Sequence, residues 1–152
     1  MPFPLCPFHL SLLLFPVPYS LNKKILLRLI QPSQKFSVTI LEIAKLLHIP
    51  ARIILRIELW AYVLFVHRSD RGGQFVSYRK LQKWRYAVAC QIQKCTTKKA
   101  WEKLSLIIEK DNNKYAKQYQ AAYYNFVDKI LNQQWHKLEQ LSAAENVRVV
   151  AS

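Results

Sequence analysis

Only two glycines occur in the 152 residues, and they are neighbours, Gly72 and Gly73. Tight turns draw on glycine because it reaches positive φ without steric cost. A many-stranded β architecture needs several such turns. The chain is therefore expected to be mainly α, with one β-hairpin where the glycines fall. Hydrophobic residues make up 51% of it, too many for disorder along the whole length. Its size suits one domain with a real core.

Five of the seven prolines lie in the first twenty residues, around the short apolar run His9–Phe15. That stretch lacks the cationic start of a signal peptide, and Val17-Pro18-Tyr19 is a poor cleavage site. It reads as a flexible Pro-rich leader over 1–20, or as the product of a misplaced start codon. The longest apolar run, Leu59–Val66, follows Arg52, Arg56 and Glu58 and is too short for a membrane span. A short helix over Ser20–Ile30 is closed by Pro32. Thr39 and Glu42 have capping-box spacing, and Ile40, Ile43, Ala44 and Leu47 follow at helical spacing. Pro50 is placed to open a second helix reaching Trp60.

Ala61–His67 and Gln74–Tyr78 flank a charged turn with both glycines and form the hairpin. Ser77 is expected to cap a helix from Tyr78 to Cys95, with Leu81, Trp84, Val88, Ile92 and Cys95 on one side. Arg79, Lys80, Lys83 and Lys94 fall on the other. Thr97 starts a helix to Lys110 with Ala100, Trp101, Leu104, Ile107 and Ile108 inward. A last helix after Asn113 reaches Leu141, with Tyr119, Tyr123, Phe126, Ile130, Leu138 and Leu141 as its apolar side. The organisation expected is a basic region over 21–95, a helical hairpin over 96–141 and a frayed tail over 142–152.

The net charge is +14, and it is unevenly placed. Residues 1–50 carry +4, residues 51–100 carry +9 and residues 101–152 carry +1. A basic middle beside a nearly neutral C-terminal third points to polyanion binding by one region and packing or assembly by another. The odd cysteine count (Cys6, Cys90, Cys95) suggests free thiols in a reducing compartment. With no CxxC and four scattered histidines, no zinc site is expected. GxGxxG, P-loop, HExxH and GxSxG patterns are all missing, so no cofactor, no small-molecule substrate and no enzyme chemistry is expected.

Glu42-Ile43-Ala44-Lys45-Leu46-Leu47-His48-Ile49-Pro50, with Ile54 and Ile57 beyond, resembles the bacterial helix-turn-helix of transcription regulators. Ala44 matches the small residue of the first helix, and Ile49, Ile54 and Ile57 match the apolar positions of turn and second helix. His48 stands where such turns carry glycine. The hairpin that follows resembles the wing of winged-helix proteins. Residues 67–77 are also similar to the segment around the second catalytic aspartate of DDE transposases of the retroviral-integrase type, with Asp70 as the matching residue. The carboxylates that two-metal chemistry requires are missing around it, since the family's glutamate would fall near Leu106.

The fold expected is therefore a winged or plain helix-turn-helix followed by a C-terminal helical hairpin. The function expected is non-enzymatic nucleic-acid binding, to DNA rather than RNA. Arg52 and Arg56 would face a groove, and Arg68, Arg71, Arg79, Lys80, Lys83 and Lys94 would face phosphates, where cations release condensed counterions. A homodimer through the aromatic C-terminal helices and a cytoplasmic, nucleoid-associated place go with that reading. The alternatives are a small interaction protein docking on an acidic partner or membrane surface, and a decayed transposase fragment.

Overall fold

The computed structural model describes residues 25–152, so the leader lies outside the described residues. The elements are α1 (Ile25–Ile30), α2 (Pro32–Lys35), α3 (Ile40–Leu47), β1 (Ile54–Leu59), β2 (Leu64–Arg68), β3 (Gly72–Val76), α4 (Gln82–Gln93), α5 (Lys98–Lys114) and α6 (Ala121–Ala151). Three 3-10 turns, Ala51–Ile53, Tyr78–Lys80 and Ala116–Gln118, join them. The protein is mainly helical with a hairpin, as the glycine content implies. None of the described helices is long and apolar enough to cross a membrane.

The α3 helix begins and ends on identifiable chemistry. Thr39 Oγ1 accepts from the Glu42 amide at 3.2 Å, and the Glu42 carboxylate accepts from the Thr39 amide at 2.9 Å, which completes the expected capping box. At the other end His48 takes left-handed φ of 54°, while the Ile49 amide donates to Ala44 O at 3.0 Å. This is a Schellman stop that glycine would fill at lower cost.

The second helix expected over Pro50–Trp60 does not form. Pro50 is extended, with ψ of 137°, and after the turn Ala51–Ile53 the chain enters β1. The reason lies in Arg56-Ile57-Glu58-Leu59, which alternates polar and apolar with period two and pairs antiparallel with β2, Ile57 opposite Val66 and Leu59 opposite Leu64. Strand β3 adds on the far side of β2, with Leu64 opposite Val76 and Phe65 opposite Phe75. The hairpin is thus extended to a three-stranded meander in the order β1-β2-β3. Gly72 has φ of 78°, and a Cβ on Gly73 would stand 2.2 Å from the Phe65 ring. Both glycines are needed where they stand.

The inward side of the sheet buries Ile54, Leu64, Val66 and Val76 in one core with Leu26, Ile30, Ile43, Trp84, Val88, Ile92, Ile108 and Ile130. The helix expected from Tyr78 to Cys95 forms only over Gln82–Gln93, because Ser77 caps the 3-10 turn Tyr78–Lys80 instead. Leu81, Trp84, Val88, Ile92 and Cys95 are nevertheless all buried as expected. Helix α6 packs on α4 and α5. Gln134 donates to Cys95 O at 2.8 Å and the Trp101 indole to Leu131 O at 3.0 Å, so the connections between these helices are tied by side chains. The tail expected to fray continues α6 to Ala151, through Ala143-Ala144-Glu145, which are good helix formers. Beyond Leu138 this extension is largely exposed, Leu141 and Val147 included. Cys95 is a buried free thiol.

Candidate nucleic-acid interface

Strand parity separates the sheet into two unlike faces. Leu64, Val66 and Arg68 of β2 point inward; Phe65 and His67 point outward, beside Arg56 and Glu58 of β1 and Phe75 of β3. Trp60, at the end of β1, stacks on Phe65 at 5.1 Å and meets Phe75 edge-on at 5.7 Å. Phe65 also touches Phe75, and the His67 ring at 4.7 Å. Of these rings Phe75 is 61% exposed and Trp60 44%, while Phe65 and His67 are half-buried.

Polar groups hold the cluster in place. The Trp60 indole donates to Glu58 Oε2 at 2.8 Å, and Arg56 Nη2 and His67 Nε2 lie 2.6 and 2.9 Å from Glu58 Oε1. The indole hydrogen bond, followed by that of His67, holds the Glu58 carboxyl below the usual carboxylate range. Glu58 is therefore ionised and neutralised locally by Arg56, so it does not repel an anion as a bare carboxylate would. At the other end of the sheet the Ser69 amide donates to Ile53 O at 2.9 Å. That bond brings the hairpin turn, with exposed Arg71, beside the 3-10 turn that carries exposed Arg52.

The residues expected to contact nucleic acid divide sharply. Arg56 lies on the aromatic face, Arg52 and Arg71 are exposed at the opposite end of the sheet, and Lys80 and Lys94 are exposed elsewhere. Arg68 is not at the hairpin tip. It is the last residue of β2, its side chain 6% exposed, and its guanidinium forks Asp70 at 2.9 and 2.7 Å while Nη1 donates to Gln74. The Arg68 hydrogen bonds hold the Asp70 carboxyl below its ordinary range. Asp70 thus sits in the turn as an ion-pair partner, and among the described residues no group of three His, Cys, Asp or Glu is placed to hold a metal.

Arg79 is also withdrawn from solvent. Its side chain is 4% exposed and makes a bidentate pair with Asp111, at 2.9 and 2.6 Å, with the Tyr115 ring 3.7 Å from its guanidinium carbon. The Tyr119 hydroxyl donates to Asp111 at 2.5 Å and accepts from the Trp84 indole at 3.0 Å. Burial, before the neighbouring Tyr123 and Asp111, raises the Tyr119 pKa far above the ordinary phenol value. Lys83 is half committed, to Ser37 O and to Glu42 at 3.0 Å.

The aromatic patch Trp60–Phe65–Phe75 was not among the expected contacts. The signal for it is the alternation on either side of Phe65, which places Phe65 and His67 opposite Leu64 and Val66. Comparison with known proteins gives no match: no family model, no curated protein and no solved structure.

Proposed function

We propose that the protein binds nucleic acid through the solvent-facing side of its sheet, as a binding module rather than a catalyst. The observation that carries this reading is the joint presence of aromatic rings and an arginine on one face, Trp60, Phe65 and Phe75 with Arg56 beside them, together with the exposed Arg52 and Arg71 at the opposite end of the sheet. Rings offer stacking to bases, and arginine forks match phosphate oxygens. With a strand where the groove-reading helix was expected, the open rings favour unpaired bases over an intact duplex, because bases inside a duplex are already stacked. A cytoplasmic place, at the nucleoid if the strand is DNA, belongs to this reading. The exposed extension of α6 is where a second copy would pack if the protein dimerises.

Fluorescence anisotropy with labelled single-stranded and duplex oligonucleotides at rising salt tests it. Tighter single-stranded binding that weakens with salt, and that Phe75→Ala and Arg71→Glu reduce, is the expected outcome. Absence of binding at low salt to protein freed of endogenous nucleic acid would refute it.

A second reading has its own observation. An open groove of roughly 770 Å³, lined by Leu41, Ala44, Lys45, His48 and Pro50 among others, runs along α3, and Leu41 is 69% exposed beside it. An apolar groove with Glu42 and Lys45 on its rim fits an amphipathic segment of a protein partner. Loss of such a complex on Leu41→Glu, with oligonucleotide binding untouched, would separate the two readings.

A further inference from the structure

A sheet in the order β1-β2-β3 has two edges, and here they are unlike. The β1 edge carries the devices that keep an edge strand from pairing with another chain: a break in register between Ile54 and Arg56, and the charged side chains of Arg56 and Glu58. The β3 edge carries none of them. Its register against β2 runs unbroken from Gly72 to Val76, and Gly72-Gly73-Gln74-Phe75-Val76 holds no charge and no proline. Alternate residues of an edge strand turn their N–H and C=O groups away from the sheet. Among the described residues no backbone hydrogen bond joins β3 to any element but β2, and Gly72, Gly73 and Phe75 are exposed along it.

The side chains of β3 indicate which strand fits beside it. The Phe65 ring lies where a Cβ on Gly73 would stand, so an aromatic ring over a strand glycine is a contact this sheet already makes. An antiparallel pairing of β3 with the β3 of a second copy, about a two-fold axis at Gln74, makes a related contact twice. Phe75 of each copy stands opposite Gly73 of the other, on the same face of the sheet, because directly opposed residues share a face. Gly72 then falls opposite Val76, and Arg71 opposite Ser77, so no like charges meet along the paired strands. A neutral strand also suits a second copy better than an acidic peptide, since β3 offers such a peptide no cation of its own.

We propose that the open edge of β3 pairs with the same edge of a second copy, joining two three-stranded sheets into one of six strands. Backbone hydrogen bonds along β3 hold the pair, and the Phe75 rings close over the junction on the outer face. The two aromatic faces then lie on one side of a continuous sheet, so this pairing neither requires nor blocks nucleic-acid binding there. It is separate from the exposed extension of α6. One short strand per copy is covered, and each copy carries a net charge of +14, so the dimer is weak, with Kd on the order of tens of micromolar.

Sedimentation velocity of the full chain, freed of nucleic acid, tests it across a concentration series that spans this value. A monomer–dimer equilibrium that salt strengthens is expected, because salt screens the repulsion between two cationic copies. Nucleic-acid binding responds to salt in the opposite sense. Phe75→Lys places a charge on the edge and should weaken the dimer about tenfold or more, with circular dichroism checking the fold. Hydrogen exchange needs no variant: the amides of Gly72–Val76 in the wild-type chain should exchange more slowly once the dimer forms, while those of Ile54–Leu59 should not change. A chain that stays monomeric at the top of the series, or a dimer whose β3 amides exchange as fast as the monomer's, overturns the pairing. So does a dimer that Phe75→Lys leaves intact and Val147→Glu abolishes, which would assign it to the α6 extension. Dimerisation with no oligonucleotide binding keeps the pairing and removes the nucleic-acid reading; oligonucleotide binding by a persistent monomer does the reverse.

Discussion

Replacement of Asp111 by alanine bears directly on whether Arg79 is a structural or a contact residue. In the native fold the Arg79 side chain is 4% exposed and that of Asp111 is 6% exposed, and two hydrogen bonds join them. Without the carboxylate the guanidinium stays in a site closed by Tyr115 and Trp84, with no anion to offset its lost hydration. Breaking a buried pair from one side costs about 3–5 kcal/mol. The Tyr119 hydroxyl also loses its acceptor, which adds about 1 kcal/mol. Against a total stability of about 5–15 kcal/mol, Asp111→Ala should leave the protein near its unfolding threshold.

The double replacement Arg79→Met with Asp111→Leu removes both charges and should recover most of that loss, since apolar residues of similar volume replace buried pairs at little cost. Urea denaturation followed by tryptophan fluorescence and circular dichroism measures both. An Asp111→Ala protein within about 1 kcal/mol of wild type would refute the buried pair as a stabilising element. A folded double variant that had lost oligonucleotide binding would return Arg79 to the contact surface.

Other outcomes follow from local chemistry. Thr39→Ala removes the acceptor for the Glu42 amide and should cost about 1 kcal/mol in the same denaturation assay. His48→Gly relieves a left-handed residue at the end of α3 and should raise stability by about 1 kcal/mol. Burial pushes the Tyr78 phenol from 10.0 to about 12 in the folded state. The unfolded chain therefore loses that proton first, so stability is whole below pH 10 and falls between pH 10 and about 12. Tyr78→Phe should remove this part of the alkaline dependence in a pH series of denaturation curves.

The features legible in the sequence were those with short-range causes. The capping box at Thr39, the Thr97 cap and the inward residues of α4 depend on neighbours within a turn or two, and all form as expected. The hairpin formed because only Gly72-Gly73 could supply its turn. What was not legible depended on phase or on distant partners. Pro50 suits the first turn of a helix as well as the approach to a strand, and the choice is made by pairing with β2, which joins Arg56 to His67 eleven residues on. Arg68 lies next to a charged turn in sequence, yet the parity of β2 directs it inward with Leu64 and Val66. Arg79 fell on the solvent side of a helical wheel begun at Tyr78. Ser77 caps a 3-10 turn instead and α4 begins at Gln82, so that wheel does not apply to it. Asp111, its partner, is 32 residues on, and no local pattern marks the pair. The aromatic face emerged for the same reason: Trp60, Phe65 and Phe75 meet only once three strands are in register.

The salt dependence of single-stranded oligonucleotide binding tests the central claim most directly. Arg52 and Arg71 are exposed and form no ion pair among the described residues, and Arg56 is shared with Glu58. At about 0.7 counterion released per phosphate on a single strand, two free arginines give a log–log slope of at least about −1.4 in magnitude, and Arg71→Glu should flatten it by about 0.7. Phe75→Ala should lower affinity by about 1–3 kcal/mol while leaving that slope unchanged, because it removes stacking and no charge. Binding that is insensitive to salt, or that Arg71→Glu and Phe75→Ala both leave intact, would contradict the claim that this face holds nucleic acid.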